Sequence, residues 1–311
     1  MLLSVVIVNW NSREDLRVCL VSLWGQTHTH LEIIVVDNGS ADGSPEMVAA
    51  EFPEVVLLRE NENLGFAEGC NRGIEASHGA WVALLNNDAV AKPDWARALV
   101  DAIGDAPAEC GMLQSLLLYQ QTPDVINSTG IELTYSGGGR DRDGGTSIND
   151  AAPQRDIFCP TAGAAAYRRA MLESIRLPNG YFDRDHFMYY EDLDLGWRAR
   201  LSGWSARYVP ASIVLHRWHG SAARHGRPWL VVISCINRLR TLIKNASIWF
   251  IVRTSPRTIL ELTQLVWFGR SDAVMRVARA VRESAFLRSR VGTMARVPRR
   301  ALEREWTADP C

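Results

Sequence analysis

Residues 80–88, Ala-Trp-Val-Ala-Leu-Leu-Asn-Asn-Asp, constrain this chain more than any other stretch. An apolar run of strand length stops abruptly at three polar residues. Nothing polar interrupts 82–85, so they read as a strand buried on both faces. Asn86, Asn87 and Asp88 then fall at its carboxyl end, where open α/β sheets hold their ligands. A carboxylate on a rigid strand end can hold a divalent cation, and the cation can hold a diphosphate. On its own, the stretch is equally a polar turn with an Asp cap.

The same grammar repeats upstream. Residues 3–8 form a strand-like run, β-branched from Val5 to Val8, closed by Asn9-Trp10-Asn11, after which Ser12 and Asp15 suit the start of a helix. Residues 31–36 make a second buried strand, ending in Asp37-Asn38-Gly39-Ser40, and 55–58 a third. Asn63-Leu64-Gly65-Phe66 opens a helix reaching about residue 77. Pro93 suits the first turn of the next helix and Gly104 its end. Strand–helix alternation implies a parallel sheet with right-handed crossovers. Three polar clusters, 9–11, 37–40 and 86–88, therefore gather on one sheet edge and suggest a nucleotide-sized ligand. GxGxxG after the first strand and GxxxxGK[ST] are both missing, which argues against a Rossmann dehydrogenase and a P-loop NTPase.

Downstream, residues 136–148 are rich in Gly, Asp and Arg and read as a mobile surface loop, either a lid or a plain connection. Residues 159–164 are small enough to admit a close backbone or a ligand. Glu191–Leu201 reads as a helix stopped by Gly203, with acids crowding its first turn. Those acids either complement the helix dipole or include a general base. Residues 208–215 read as a strand ending at His216, whose neutral imidazole can complete a metal shell.

Composition adds limits. A net charge of -1 favours no class of partner, and scattered cysteines without a CxxC pair predict reduced thiols in a cytoplasmic setting. The N-terminus opens on a strand without a basic leader, unlike a signal peptide. The nearest approach to a membrane span, 229–252, carries Arg238, Arg240 and Lys244. Residues 253–302 hold eleven arginines against three acids, a surplus of eight. Val274, Val277, Ala278, Val281 and Ala285 are expected on one helical face, with Arg276 and Arg279 opposite. That helix either lies on an anionic membrane surface, the inner face of the plasma membrane, or packs on the catalytic domain. So local a surplus argues against nucleic acid. The expected division is a catalytic domain over 1–228 and a basic helical extension over 229–311.

The ordered motifs resemble the family 2 inverting glycosyltransferases of GT-A fold, in their bacterial rhamnosyltransferase-like branch. The matching pieces are residues 5–11, 35–40, 63–71, 85–88, Tyr190 to Leu195 with Arg198, and His216 with Gly220-Ser221. The resemblance implies an α/β GT-A nucleotide-diphospho-sugar transferase fold, a mostly parallel central sheet flanked by helices, with a C-terminal helical extension. It implies that Asn9 and Trp10 line the base and ribose pocket and that Asp37 bonds the pyrimidine. Gly65, Phe66, Asn71, Asn86 and Asn87 would lie near the nucleotide-sugar. Asp88 and His216 would hold Mg²⁺ or Mn²⁺. Asp192 would be the catalytic base and Glu191 would shape the acceptor pocket. Asn86 stands where the family has the first acid of its DxD, a departure common in this branch, and Arg184 stands where the branch often has Glu.

The implied reaction moves a sugar from dTDP-rhamnose or a UDP-hexose, with inversion, to a glycan or polyprenyl-linked glycan in cell-surface polysaccharide synthesis. A non-catalytic nucleotide-sugar binder within a membrane glycan assembly complex is the alternative. A nucleotidyltransferase is disfavoured because the first strand lacks a glycine-rich, basic loop.

Overall fold

The computed structural model describes residues 1–150, 156–217, 226–267 and 271–308. Its first half is β1 (Leu3–Asn9), α1 (Arg13–Trp24), β2 (Leu31–Asp37), α2 (Ser44–Glu51), β3 (Val56–Arg59), α3 (Phe66–Ala76) and β4 (Trp81–Leu85). Then come β5 (Ala89–Ala91), α4 (Trp95–Gly104), β6 (Cys110–Tyr119), β7 (Thr122–Ser128), β8 (Ile131–Thr134) and β9 (Gly139–Asp141). β10 (Ala164–Arg168), α5 (Arg169–Ser174), α6 (Glu191–Leu201) and β11 (Ser205–His216) follow. The C-terminal region is α7 (Arg227–Asn245), α8 (Ile248–Trp267), α9 (Ser271–Met294), α10 (Arg299–Trp306) and the short β12 (Thr307–Ala308).

The main sheet runs β3-β2-β1-β4-β10-β6-β11-β5, with β7 beside β6. β3, β2, β1 and β4 are all parallel, as the alternation dictates. Beyond them the sheet is mixed. β10 runs antiparallel to both β4 and β6, while β11 returns parallel to β6. The small-residue stretch thus feeds a central strand whose Ala164, Ala165 and Ala166 are fully buried.

Period-two alternation along β1 sorts its side chains into two layers. Leu3, Val5 and Ile7 pack with α1 and α4, while Val6 faces the α3 side. α3 lies unusually close to β1 because its contact face is glycine. A Cβ on Gly73 would stand 2.1 Å from Val6 Cγ1, and one on Gly69 would stand 2.7 Å from Val8 Cγ1.

Two expectations change. A segment of the 136–148 stretch is β9, which pairs antiparallel with β8 in a second sheet of order β12-β8-β9. On α9, the face turned inward is Val277, Ala280, Ser284, Leu287 and Val291, whereas Ala278, Val281 and Ala285 are exposed. The buried seam follows the ridge that meets α7 and α8 rather than the widest apolar arc; Ala280 packs with Val232, Ile236 and Leu265. The side chain of Val274 and the motif residues Gly220 and Ser221 lie outside the described residues. A third core joins the sequence on either side of residue 228. Leu193, Trp197 and Leu201 of α6 pack with Leu242, Phe250, Leu287 and Leu302.

Candidate active site

The three polar clusters meet at the carboxyl edge of the parallel strands, tied by side-chain amides. Asn9 donates from Nδ2 to Asp37 Oδ1 at 3.1 Å and accepts at Oδ1 from Asn87 Nδ2 at 2.8 Å. Asp37 Oδ2 accepts from the Ser40 N–H at 2.9 Å, and Asn38 donates to Gly65 O at 3.0 Å. Asn9 and Asp37 are therefore buried braces behind the rim. The rim itself opens on a cleft of ≈ 410 Å³ lined on this side by Trp10, Asn38, Gly65, Phe66, Asn86, Asn87 and Asp88. Asn71 does not line it. Both ends of its amide are engaged by the backbone of Phe182, at 2.9 Å each. Asn38 does line it, and its buried Oδ1 has no hydrogen-bond partner among the described residues. Its place between Asp37 and Gly39 was the available signal.

At the end of β4, Asp88 Oδ1 lies 3.2 Å from His216 Nε2 at the end of β11. β5 brings them together, since it follows Asp88 directly and pairs with β11, Ala89 opposite His216. His216 Nδ1 lies 2.9 Å from Asn127 Oδ1. A carboxamide oxygen only accepts, so Nδ1 carries a proton; Nε2, on the cleft side, can donate to Asp88 when it too carries one and offers its lone pair to a cation when it does not. Asn86 Nδ2 is 3.1 Å from that same Nε2. Burial alone would lift the Asp88 carboxyl, but the hydrogen bond and charge of His216 outweigh it and hold it below the usual range. The pair fits a divalent cation: two cis ligands about 2.1 Å from an octahedral ion stand about 3.0 Å apart. An imidazole in the set suits Mn²⁺ better than Mg²⁺, which prefers oxygen throughout.

The start of α6 lines the same cleft. Asp192 Oδ1 accepts from the N–H of Leu193 at 2.7 Å, and Oδ2 from that of Ala162 at 3.3 Å. Crowding by the surrounding protein pushes its carboxyl up to about 6; those two N–H groups resist this and the charge of Asp141 adds to it. Glu191 is almost fully buried, with Oε2 lacking a hydrogen-bond partner among the described residues. Burial and the charge of Asp192 raise it well above the carboxylate range, so it stays protonated where Asp192 ionises. Asp141, on β9, faces the same cleft and had no distinguishing signal in its Gly/Asp/Arg surroundings.

A second acidic group lies deeper. Asp183, His186 and Asp194 are buried with their ligand atoms close together. The Lys244 ammonium of α7 occupies their centre, 2.9 Å from Asp194 Oδ1 and hydrogen-bonded to Asp183 Oδ2. Arg198 Nε adds a bond to Asp194 at 3.1 Å. Burial, then the Lys244 charge, pushes His186 down to about 4, so its ring is neutral.

The sequence model described as Glycosyl transferase family 2 matches residues 4–176. The chain belongs to that family. It is 31% identical over 253 residues to the N-acetylglucosaminyl-diphospho-decaprenol L-rhamnosyltransferase of Mycobacterium tuberculosis, covering 71% of this chain and 78% of the relative. It is 29% identical over 231 residues to EpsH of Bacillus subtilis, covering 70% of this chain but only 61% of that one. Among solved structures, GalNAc-T7 with UDP, GalNAc and Mn²⁺ superposes with a TM-score of 0.61 at 17% identity, covering 78% of this chain and 47% of that one. The mannosyltransferase PcManGT of Pyrobaculum calidifontis, with GDP-Man and Mn²⁺, gives 0.55 at 16% identity, over 98% and 87% of the two chains. The shared fold is that of the GT-A glycosyltransferases. No helix among the described residues is long and apolar enough to cross a membrane.

Proposed function

We propose that this family 2 chain transfers a sugar from a nucleotide-diphospho-sugar to a hydroxyl of a glycan acceptor, by one displacement with inversion. The observation that carries the reading is that a metal-type pair and a carboxylate of raised pKa line one cleft. Asp88 and His216 stand on the strand-end side, and Asp192 stands at the start of α6. Asp88 and His216 would hold a divalent cation, Mn²⁺ by the argument above, which when bound offsets negative charge on a diphosphate. Trp10 and Phe66 offer ring faces to base and ribose. Asp192, ionised above about pH 6, takes the acceptor proton, and protonated Glu191 beside it keeps the pair from repelling. The rhamnosyltransferase relative supports dTDP-rhamnose as donor and a polyprenyl-diphosphate glycan as acceptor, with UDP-hexoses as the other donors to test.

Residues 229–311, read as an extension of the catalytic domain over 1–228, complete the acceptor side, where Ser234 of α7 lines the cleft. A surface for an anionic bilayer fits α8 better than α9. Ile248, Trp249, Val252, Ile259 and Leu260 are exposed along α8, and Arg253 and Arg300 flank the Trp249 ring. A donor screen with Mn²⁺, reading released nucleoside diphosphate in the presence and absence of a polyprenyl-linked acceptor, tests the assignment. Nucleotide-sugar binding without turnover for any donor would favour the non-catalytic alternative.

A further inference from the structure

The most contorted backbone of the chain leads directly into the two carboxylates. Of five non-glycine residues at positive φ among the described residues, three are Phe187, Tyr189 and Tyr190, at +62°, +68° and +70°. Phe187, with ψ at -64°, is the centre of a strained γ-turn, closed by the Met188 N–H donating to His186 O at 2.7 Å. All three side chains are aromatic, and none suits the left-handed region. Such a loop persists only where its surroundings over-determine it.

From α7, the Trp229 ring packs edge-on against Phe187 at 5.9 Å and Thr241 Oγ1 lies 3.1 Å from His186 Nε2, but one side chain meets the loop backbone at three points. Asn237, buried on α7, directs Nδ2 at three carbonyl oxygens of the loop: His186 O at 2.7 Å, Met188 O at 2.9 Å and Tyr189 O at 2.9 Å. The loop also reaches the donor side. Phe187 O accepts from the Ala67 N–H of α3 at 3.1 Å, and the Phe187 ring closes on Gly65, where a Cβ would stand 2.5 Å from its Cδ2. One segment therefore ties the donor-side turn to the start of α6, and the group of α7 that meets its carbonyls is the Asn237 amide. We propose that Asn237 is a positioning residue, which holds the Phe187–Tyr190 loop in its left-handed form and so fixes Asp192 against the donor-side turn at Gly65. The catalytic aspect of this proposal rests on Asp192 being the base.

The test compares the full-length wild type with Asn237→Ala and the double variant Asn237→Ala/Tyr189→Gly. Backbone hydrogen exchange is read at Ala67 and residues 188–193, and turnover is read with the best donor of the screen. In Asn237→Ala, exchange at those amides should rise at least about tenfold, with β1 and β4 unchanged. Turnover should fall about 100-fold while donor KM moves less than about fivefold, the signature of misplaced groups rather than lost binding. Glycine at position 189 removes the conformational cost that Asn237 offsets, so the double variant should regain about fivefold in turnover despite losing a second side chain. Unchanged exchange at Ala67 and 188–193 in folded Asn237→Ala overturns the proposal. So does a double variant no faster than the single one, because a residue that merely fills space gains nothing from glycine. Should Asn237→Ala not fold, Asn237→Ser keeps one donor and takes its place. Should the wild type turn over no donor, the proposed function fails, and the exchange arm still decides whether Asn237 holds the loop.

Discussion

Replacing Asp192 with Asn should make this protein more stable at pH 8 while nearly abolishing its turnover. Raising a carboxyl from its ordinary 3.8 to about 6 makes the ionised form roughly 3 kcal/mol costlier in the folded chain than in the unfolded one. Asp192 is only half-buried and its cleft is open to water, which cuts the net effect to about 1–2 kcal/mol. The sign follows from the direction of the shift. With the folded value above the unfolded one, the contribution to stability is fully present below pH ~4 and lost as pH rises through about 6. At pH 8 the wild type carries the whole penalty; the amide, which cannot ionise, carries none. Asn can still accept from the Leu193 N–H through its carbonyl oxygen, so the best local hydrogen bond survives. The expected gain in melting temperature at pH 8 is about 2–4 °C, shrinking towards zero at pH 4.5. Turnover should fall about 10²–10⁴-fold, as loss of a general base does. Thermal melts at the two pH values and steady-state turnover read both sides. A variant melting below wild type at pH 8, or one keeping near-normal turnover, would refute the reasoning.

Asp88→Ala should weaken UDP or dTDP binding at least about tenfold in calorimetry with Mn²⁺ and leave it unchanged in EDTA; equal affinities in Mn²⁺ would count against a metal role. Lys244→Met leaves Asp183 and Asp194 without their buried cation and should cost about 3–5 kcal/mol in urea denaturation, whereas a loss below about 1 kcal/mol would mean Arg198 suffices alone. Gly73→Ala drives a methyl into Val6 and should cost about 1–3 kcal/mol, so a neutral result would show that α3 can retreat. Ile248→Asp/Trp249→Asp should abolish flotation with phosphatidylglycerol vesicles at low salt; wild type that stays with the soluble fraction disposes of the membrane surface.

How far the sequence could be read depended on whether a signal was local. β4 is an uninterrupted apolar run, β1 and β2 are broken only by Ser4 and Glu32 before their polar ends, and α6 begins and ends at the residues its acids and Gly203 indicate. β10 escaped because three alanines are poor strand formers in isolation. Their value lies in what crowds them between β4 and β6. α9 was read one ridge away from its true seam, since an all-round mixture of Ala, Val and Arg gives no single face until α7 and α8 select one. Residue types at the rim were legible and their order was informative, but their division of labour was not. Asn9, Asp37 and Asn71 have side chains fit to meet a ligand, yet the fold turns them to brace its own backbone and rim. Asp141 reaches the cleft from β9, in a stretch whose composition resembles an ordinary connection, and Asn127 reaches the imidazole from β7, beside β6.

Lys244 has a bearing on how the molecule comes into being. A chain emerging from the ribosome exposes Asp183 and Asp194 about sixty and about fifty residues before their counter-charge is synthesised. Until α7 follows, these two carboxylates have nowhere dry to go, and Arg198 answers Asp194 without the lysine. The nucleotide edge of the sheet can settle early, from neighbours close in sequence. The α6 side of the cleft is completed late, by a cation that arrives only after the last strand of the main sheet.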